Sequence, residues 1–280
     1  MTTSQITFET MTPDHLDGAV LLSIQAGWPH RRDDWALVLA LSKGVVALED
    51  GAVVGTAMAT PLGDDVATIN MVIVDETMRG RGVGRKLMQA ALDAVTGRTC
   101  LLVATQDGLP LYEKLGFVAN GEIIQHQGVV AEVEAPQNVD WASACDFPQL
   151  VSLDHHATGH DRGALMQLLN ESASFAVIRN GEQITAFAGI REFGRGQVIG
   201  PVVAKTDNDA RSLIDFLLAQ NAGKFIRVDA NVTTNLGNWL TERGLVHVGG
   251  GITMRRALHL KVERRDSEYR TYTLVNQALG

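Results

Sequence analysis

The 280-residue chain has little cysteine, no long apolar run and a shortage of positive charge. Its two cysteines, Cys100 and Cys145, are too few for a disulfide framework and suit a reducing compartment, so a cytoplasmic location is expected. The first residues, MTTSQITFET, carry neither a basic start nor an apolar stretch, so no signal peptide is expected. No stretch approaches the length of a membrane span. Lys and Arg number 24 against 32 Asp and Glu, a formal net charge of −8. A surface of that sign repels nucleic acid and anionic membranes, and neither is expected as a partner. Metal ligands are sparse as well. The richest stretch, Asp154-His155-His156-Ala157-Thr158-Gly159-His160-Asp161-Arg162, places His156 and His160 where they could share a helix face. Gly159 disfavours a helix there and no third ligand is suitably spaced, so no metal is expected. The segment reads instead as a cap for a helix over 163–169, with Asp161 and Arg162 offering an anion or interdomain contact.

What the chain does have is ordinary for a globular enzyme: 45% apolar and 20% charged residues. Its length suits about two domains, each with a core of its own. One stretch organises the rest. Ile69 to Val74 is an apolar, β-branched run of strand length, and Leu87, Met88, Ala91, Leu92 and Val95 fall on one helix face. Between them stands Arg79-Gly80-Arg81-Gly82-Val83-Gly84, followed by Arg85 and Lys86. Alternate glycines let the backbone turn tightly and bring N–H groups up to a ligand. A helix N-terminus adds unpaired donors and partial positive charge, so the whole is an anion cradle suited to a pyrophosphate.

The dinucleotide fingerprint G-x-G-x-x-G fails because Arg85 stands where its last glycine belongs, and the nucleoside-triphosphate pattern fails at the same residue. The pattern present is R-x-x-G-x-G, through Arg79, Gly82 and Gly84. In this the sequence resembles the GNAT superfamily of acyl-CoA-dependent N-acyltransferases. A second motif strengthens the resemblance. Residues 99–118 read as a strand, a turn at Asp107-Gly108, a short helix and the ending Leu111-Tyr112-Glu113-Lys114-Leu115-Gly116-Phe117, similar to the family's second cofactor motif. The resemblance implies acetyl-CoA as co-substrate. It places Arg79, Gly80, Arg81, Gly82, Val83, Gly84 and Arg85 on the pyrophosphate, and Met71, Val72, Ile73 and Val74 of the central strand on the pantetheine arm and thioester carbonyl. It also makes Tyr112 the general acid for the departing thiolate. Without it, a lone tyrosine reads as a packing aromatic.

Taken in order, the chain opens with a short strand at Ile6 to Phe8 and a helix started by Thr12 and Pro13. Gly27-Trp28-Pro29-His30 breaks that helix, and a second runs from about Arg32 to Leu41. In the family the region between these helices covers the acceptor end of the site, so Trp28, His30 and Asp34, with Asp33, are the substrate-pocket candidates. Packing for Trp28 and helix-dipole charges for the aspartates are the competing readings. Val45 to Leu48 and Val53 to Met58 flank Asp50-Gly51, a hairpin signal that asks for positive φ at both turn residues. Residues 122–133 read as one or two closing strands of this half, and Glu134 to Asn138 as a linker.

The second half repeats the first. A hairpin around Asn180-Gly181, a strand from Val198 to Ala204, a helix over 211–218 and the segment from Trp239 to Gly244 each have a counterpart upstream. Where the first half has its glycine loop, however, the second has Asp207-Asn208-Asp209-Ala210, and aligning Gly116 with Gly244 places Leu240 opposite Tyr112. The expected architecture is α/β, two GNAT-like domains in tandem, each a mixed, mainly antiparallel twisted sheet flanked by helices. The parts are a catalytic domain over 1–135, a linker over 136–149, a degenerate domain over 150–257 and a tail over 258–280. That tail, with Lys261, Arg264, Arg265 and Arg270, reads as a surface or docking segment.

The expected reaction is direct attack of a small-molecule amine on acetyl-CoA, by a monomer or homodimer. Asp34, His30 or ordered water is the proton acceptor, because the central strand offers only Asn70. Neither motif holds a cysteine nucleophile, which disfavours an acyl-enzyme. The alternatives are transfer of a longer acyl group and a non-catalytic acyl-CoA-binding sensor or interaction protein.

Overall fold

The computed structural model describes residues 5–257 and 267–280. The first half supplies strands β1 (Ile6–Thr10), β2 (Lys43–Glu49), β3 (Ala52–Leu62), β4 (Val66–Val74), β5 (Thr99–Ala104) and β6 (Val118–Val129). Its helices are α1 (Leu16–Gln25), α2 (Arg32–Leu41), α3 (Val83–Asp93) and α4 (Leu109–Lys114). The second half supplies β7 (Asp140–Trp141), β8 (Ala173–Asn180), β9 (Gln183–Phe193), β10 (Gly196–Ala204), β11 (Phe225–Asn231), β12 (Val246–Arg256) and β13 (Arg270–Thr273), with helices α5 (Phe147–Thr158), α6 (Gly163–Ser172), α7 (Asp207–Ala219) and α8 (Gly237–Thr241). All of these strands join one sheet of 13, in the order β1-β2-β3-β4-β5-β12-β6-β11-β13-β10-β9-β8-β7, mostly antiparallel. No helix among the described residues is long and apolar enough to cross a membrane.

Local chemistry explains the elements. Asp50 and Gly51 at the β2–β3 turn have φ of 51° and 81°, the positive pair that Asp-Gly supplies. The apolar stripe of α3 buries Val83, Leu87, Met88, Ala91 and Leu92 against one face of the sheet, beside Ala57 and Ile69. The opposite face carries a core that both halves share. Leu16, Trp35 and Val38 of α1 and α2 pack there with Leu165, Met166 and Leu169 of α6 and Phe187 of β9. With both faces covered, β4 is apolar along nearly its whole length, as the sequence requires.

Residues 122–133 were expected to close the first half's own sheet. Instead β6 pairs antiparallel with β11 of the second half, from Ile123↔Asn231 to Val129↔Phe225. In return β12 pairs with β5 of the first, from Ile252↔Ala104 to Arg256↔Cys100. The two exchanged strands also pair with each other at the centre of the sheet.

Three further expectations are corrected. The stretch 136–149 is not plain linker, since β7 pairs with β8 and α5 begins at Phe147. Asp154 to Thr158 form the last turns of α5, ended by Gly159 at φ 72°, rather than a cap for α6; Arg162 is held by the buried carboxylate of Asp154 at 2.9 and 2.5 Å. The tail is not a surface segment along its length, because Tyr272, Val275 and Leu279 are fully buried. Lys261, Arg264 and Arg265 lie outside the described residues; Arg270 opens β13.

Candidate active site

The site forms where strand pairing stops. β4 pairs in parallel with β5 only from Val66↔Thr99 to Thr68↔Leu101, so from Ile69 onward the two strands diverge and leave a cleft. Within it β4 carries a bulge. The register with β3 passes from Thr56↔Ile73 to Met58↔Asn70, leaving Met71 and Val72 opposite Ala57. Met71 has φ 49°, a left-handed conformation that costs a non-glycine residue about 1 kcal/mol or more. The Thr56 hydroxyl donates to the Met71 carbonyl at 2.7 Å and fixes the kink.

At the end of β4 the chain passes through a turn into α3. Gly80 and Gly82 have φ of 77° and 76°, and Gly82 is the N-cap of α3. A Cβ at either would find no heavy atom within 4 Å, so backbone conformation, not crowding, demands glycine, and the loop is open on its outer side. Gly84 has no such φ and lies inside the first turn. The first N–H groups of α3 have no partner within the helix and face this opening. Of the basic side chains, Arg81 is paired with Glu49 at 2.9 Å, and Arg79 reaches Glu76 and Asp107 at 3.6 and 3.9 Å. Arg85 makes no ion pair among the described residues. A pyrophosphate fits this set: free backbone donors, a glycine turn that admits close approach, and exposed guanidiniums.

Tyr112 lies on α4 and is 8% exposed, with its ring edge-on to Phe117 at 6.1 Å. Burial pushes its hydroxyl up to about 12, so it stays protonated across the physiological range. Gly108 makes room for it, since a Cβ there would meet Tyr112 Cε2 at 2.6 Å.

A cavity of about 410 Å³ occupies the cleft and brings together Trp28, His30, Asn70, Met71, Val72 and Tyr112. Its far wall belongs to residues that the sequence did not single out: Gln125 and Gln127 of β6, Phe193, Arg195 and Arg227 of the second half, and Asn276 and Gln277. One signal was present, namely an arginine two residues before an aspartate inside the apolar strand Phe225–Asn231. Ile73, Val74 and the residues of the glycine loop do not line this cavity.

Asp34 is brought elsewhere. Its buried carboxylate accepts from the Arg31 N–H at 2.8 Å, the Arg31 guanidinium at 3.0 Å and the Gly194 N–H at 2.9 Å. Burial alone raises its pKa, but these bonds outweigh burial and hold it below the usual carboxylate range. It clamps the β9–β10 turn to the α1–α2 loop. His30 sits against Trp28, Trp35 and Phe193 at 5.7, 6.4 and 5.3 Å, and its buried Nδ1 has no partner among the described residues. Burial first, then Arg227, pushes its imidazole down to about 4, so it is neutral at pH 7. Asn70 donates to Thr60 and Thr68 at 2.9 and 3.1 Å, while its buried Oδ1 is unpartnered among the described residues. Among those residues no group of His, Cys, Asp or Glu is arranged to hold a metal.

Comparison with known proteins agrees with this geometry. Residues 12–117 match the acetyltransferase (GNAT) family and residues 150–268 match the acetyltransferase (GNAT) domain. The chain is 27% identical over 242 residues to the uncharacterized N-acetyltransferase YitH of Bacillus subtilis, covering 82% of this chain and 84% of that protein. It is 28% identical over 195 residues to a holothin acyltransferase of a Pseudoalteromonas species, covering 66% and 65%. A crystal structure from Pyrococcus horikoshii, described as a candidate acetyltransferase, superposes with a TM-score of 0.79 at 19% identity over 100% of this chain and 98% of that one, which shows a common fold. With both halves matched and both relatives named as acyltransferases, the chain belongs to the GNAT family as a tandem-domain acyltransferase.

Proposed function

We propose that the protein transfers an acetyl group from acetyl-CoA to the amine of a small-molecule acceptor. The observation that carries this reading is the meeting, in one cavity, of the bulge at Met71 and the buried Tyr112 beside the stretch of β4 that has no partner in β5. Backbone groups of Met71 to Val74 bind the pantetheine arm as an added strand would, and a bulge N–H polarises the thioester carbonyl. The α3 N-terminus, with Arg79, Arg81 and Arg85, holds the pyrophosphate.

The acceptor nitrogen attacks the carbonyl carbon; the C–N bond forms, the C–S bond breaks, and Tyr112 gives its proton to the departing thiolate. The nitrogen must arrive neutral. Among the described residues no carboxylate lines the cavity, and a desolvated site depresses the pKa of an ammonium group. Asn70 Oδ1 and His30 Nδ1 supply the acceptors for its N–H groups. His30, its pKa lowered to about 4, is too weak a base to take up a proton near neutrality, and Asp34 is committed to its clamp, so the proton released by the nitrogen leaves through water.

Free-thiol release from acetyl-CoA, measured over a panel of amines, tests this reading, with Tyr112→Phe as control. Amine-dependent release that is lost in the variant is expected. Binding of acetyl-CoA with no release for any amine would overturn it. Longer acyl-CoA donors in the same assay read the chain length, a relevant choice because one relative is named only as an acyltransferase.

A further inference from the structure

The chain as a whole is acidic, yet the cavity is not. Among its lining residues the charged side chains are Arg195 and Arg227, with no Asp or Glu, and the rest are apolar groups, amides, a threonine, a tyrosine and the neutral His30. Both arginines come from the second half. Arg227 is fixed from behind: its Nε and Nη2 donate to the two oxygens of fully buried Asp229 at 2.9 and 3.0 Å, and Gln277 donates to the same carboxylate at 2.9 Å. That leaves Nη1 of Arg227 without a hydrogen bond among the described residues. Arg195 sits at the β9–β10 turn with its guanidinium 4.8 Å from the Phe225 ring, and it has no carboxylate partner among the described residues. Its place is set by the Gly194 N–H bond to Asp34, which pins the turn over the first half's α1–α2 loop.

Nearby, the buried Arg191 pairs with Asp34 at 3.8 Å through Nη1, its Nε and Nη2 are unpartnered among the described residues, and burial lowers its pKa to about 10. The cavity lined by Met71 and Tyr112 is thus also lined by the guanidiniums of Arg195 and Arg227. No residue of the 79–85 loop lines this cavity, so these guanidiniums are not part of the pyrophosphate cradle.

We infer that Arg195 and the free edge of Arg227 hold an oxyanion on the acceptor, so that the substrate is an amine bearing a carboxylate or a phosphate, anchored by the second half while its nitrogen reaches the first. This inference rests on the acyl-transfer reading above. A guanidinium fork matches either oxyanion through charge-assisted bonds, and exposed Arg195 and the anchored Arg227 both offer one.

Matched acceptors test it: lysine against cadaverine, phenylalanine against phenethylamine, O-phosphoethanolamine against ethanolamine, and glucosamine 6-phosphate against glucosamine. In at least one pair the oxyanion member is expected to have the lower KM, by roughly tenfold or more, the scale of a charged hydrogen bond. The responding pair separates carboxylate from phosphate. Arg195→Gln should remove that advantage, raising KM for the oxyanion member about tenfold while kcat and the KM of the neutral member stay within about threefold. Arg195→Lys should restore part of it.

Neutral members that match or surpass their partners in every pair, or an unchanged ratio in Arg195→Gln, would overturn the inference. Calorimetric binding of the same amines to the protein with free CoA gives an arm independent of turnover. Oxyanion-selective binding that Arg195→Gln abolishes, without thiol release, would uphold the inference and overturn acyl transfer. Absence of selective binding, together with absence of turnover, would overturn both.

Discussion

The two halves open their sheets in the same way and then do opposite things with the opening. In the first, β4 and β5 part after Thr68 and Leu101, and the gap is the cavity. In the second, β10 and β11 pair in parallel only from Gln197↔Ile226 to Ile199↔Val228 before they part. There β13 fills the gap, pairing with Val202 to Ala204 on one side and with Ala230 on the other. The second half also irregularly steps its register after Ile199, as β4 does at Met71, but the backbone of Leu274 lies against that step so closely that a Cβ on Gly200 would collide with its carbonyl.

The helices after these strands differ in kind. Gly82 caps α3 with no side chain, so its first N–H groups remain for a ligand, whereas the Thr206 hydroxyl caps α7 by accepting from the Asp209 N–H at 3.1 Å. Parted strands leave backbone donors and acceptors that something must satisfy. In the proposed reading a cofactor arm with amide groups serves in one half; the chain's own strand serves in the other.

The comparison can be broken at several points. Removing the plug has the largest expected effect: Tyr272→Ala deletes a fully buried ring and its hydroxyl bond to Asp207 at 2.7 Å, and should destabilise the protein by about 4 kcal/mol in denaturant unfolding. Tyr112→Phe should lower kcat about a hundredfold or more, about 3 kcal/mol, with the dissociation constant for acetyl-CoA nearly unchanged; Leu240→Tyr at the matching position should add no activity.

A third effect reads the seam between the halves. His30 has a pKa of about 4 in the fold against 6.5 when exposed, so between these values the unfolded chain binds more protons. Stability that is complete above about pH 6.5 is lost as the pH falls towards 4, by about 3 kcal/mol. Unfolding curves at both pH values should show this loss in the wild type and a smaller one in His30→Gln. The smallest effect contrasts the two caps. Thr206→Ala should cost about 1 kcal/mol of stability and leave acetyl-CoA affinity alone. Gly82→Asp should weaken that affinity through like charge and an unfavourable φ.

Much of this was legible because it depends on neighbours in sequence. The Asp50-Gly51 turn, the stripe of α3 and the span of α2 follow from local rules, and the glycine loop falls where a strand meets a helix. At Asn180-Gly181 only the glycine takes positive φ, so that turn differs from its upstream counterpart. Trp28, His30 and Tyr112 were singled out and do meet in the cavity; Asp34 was singled out and forms a clamp. The strand exchange, the plug and the arginine wall were not legible. An alternating strand states which face is buried but not which partner it takes. Arg195 gains meaning only when a turn far along the chain is pinned beside His30.

The traded strands also have a consequence for synthesis. A chain emerging from the ribosome completes β5 and β6 early, yet the strand that stands between them, β12, is made only after residue 246. Until then β5 presents an open edge, and β6 waits for β11. The first half is therefore finished last, by a segment that belongs to the second, and a gene cut at the boundary between the repeats would yield two pieces that each lack a strand.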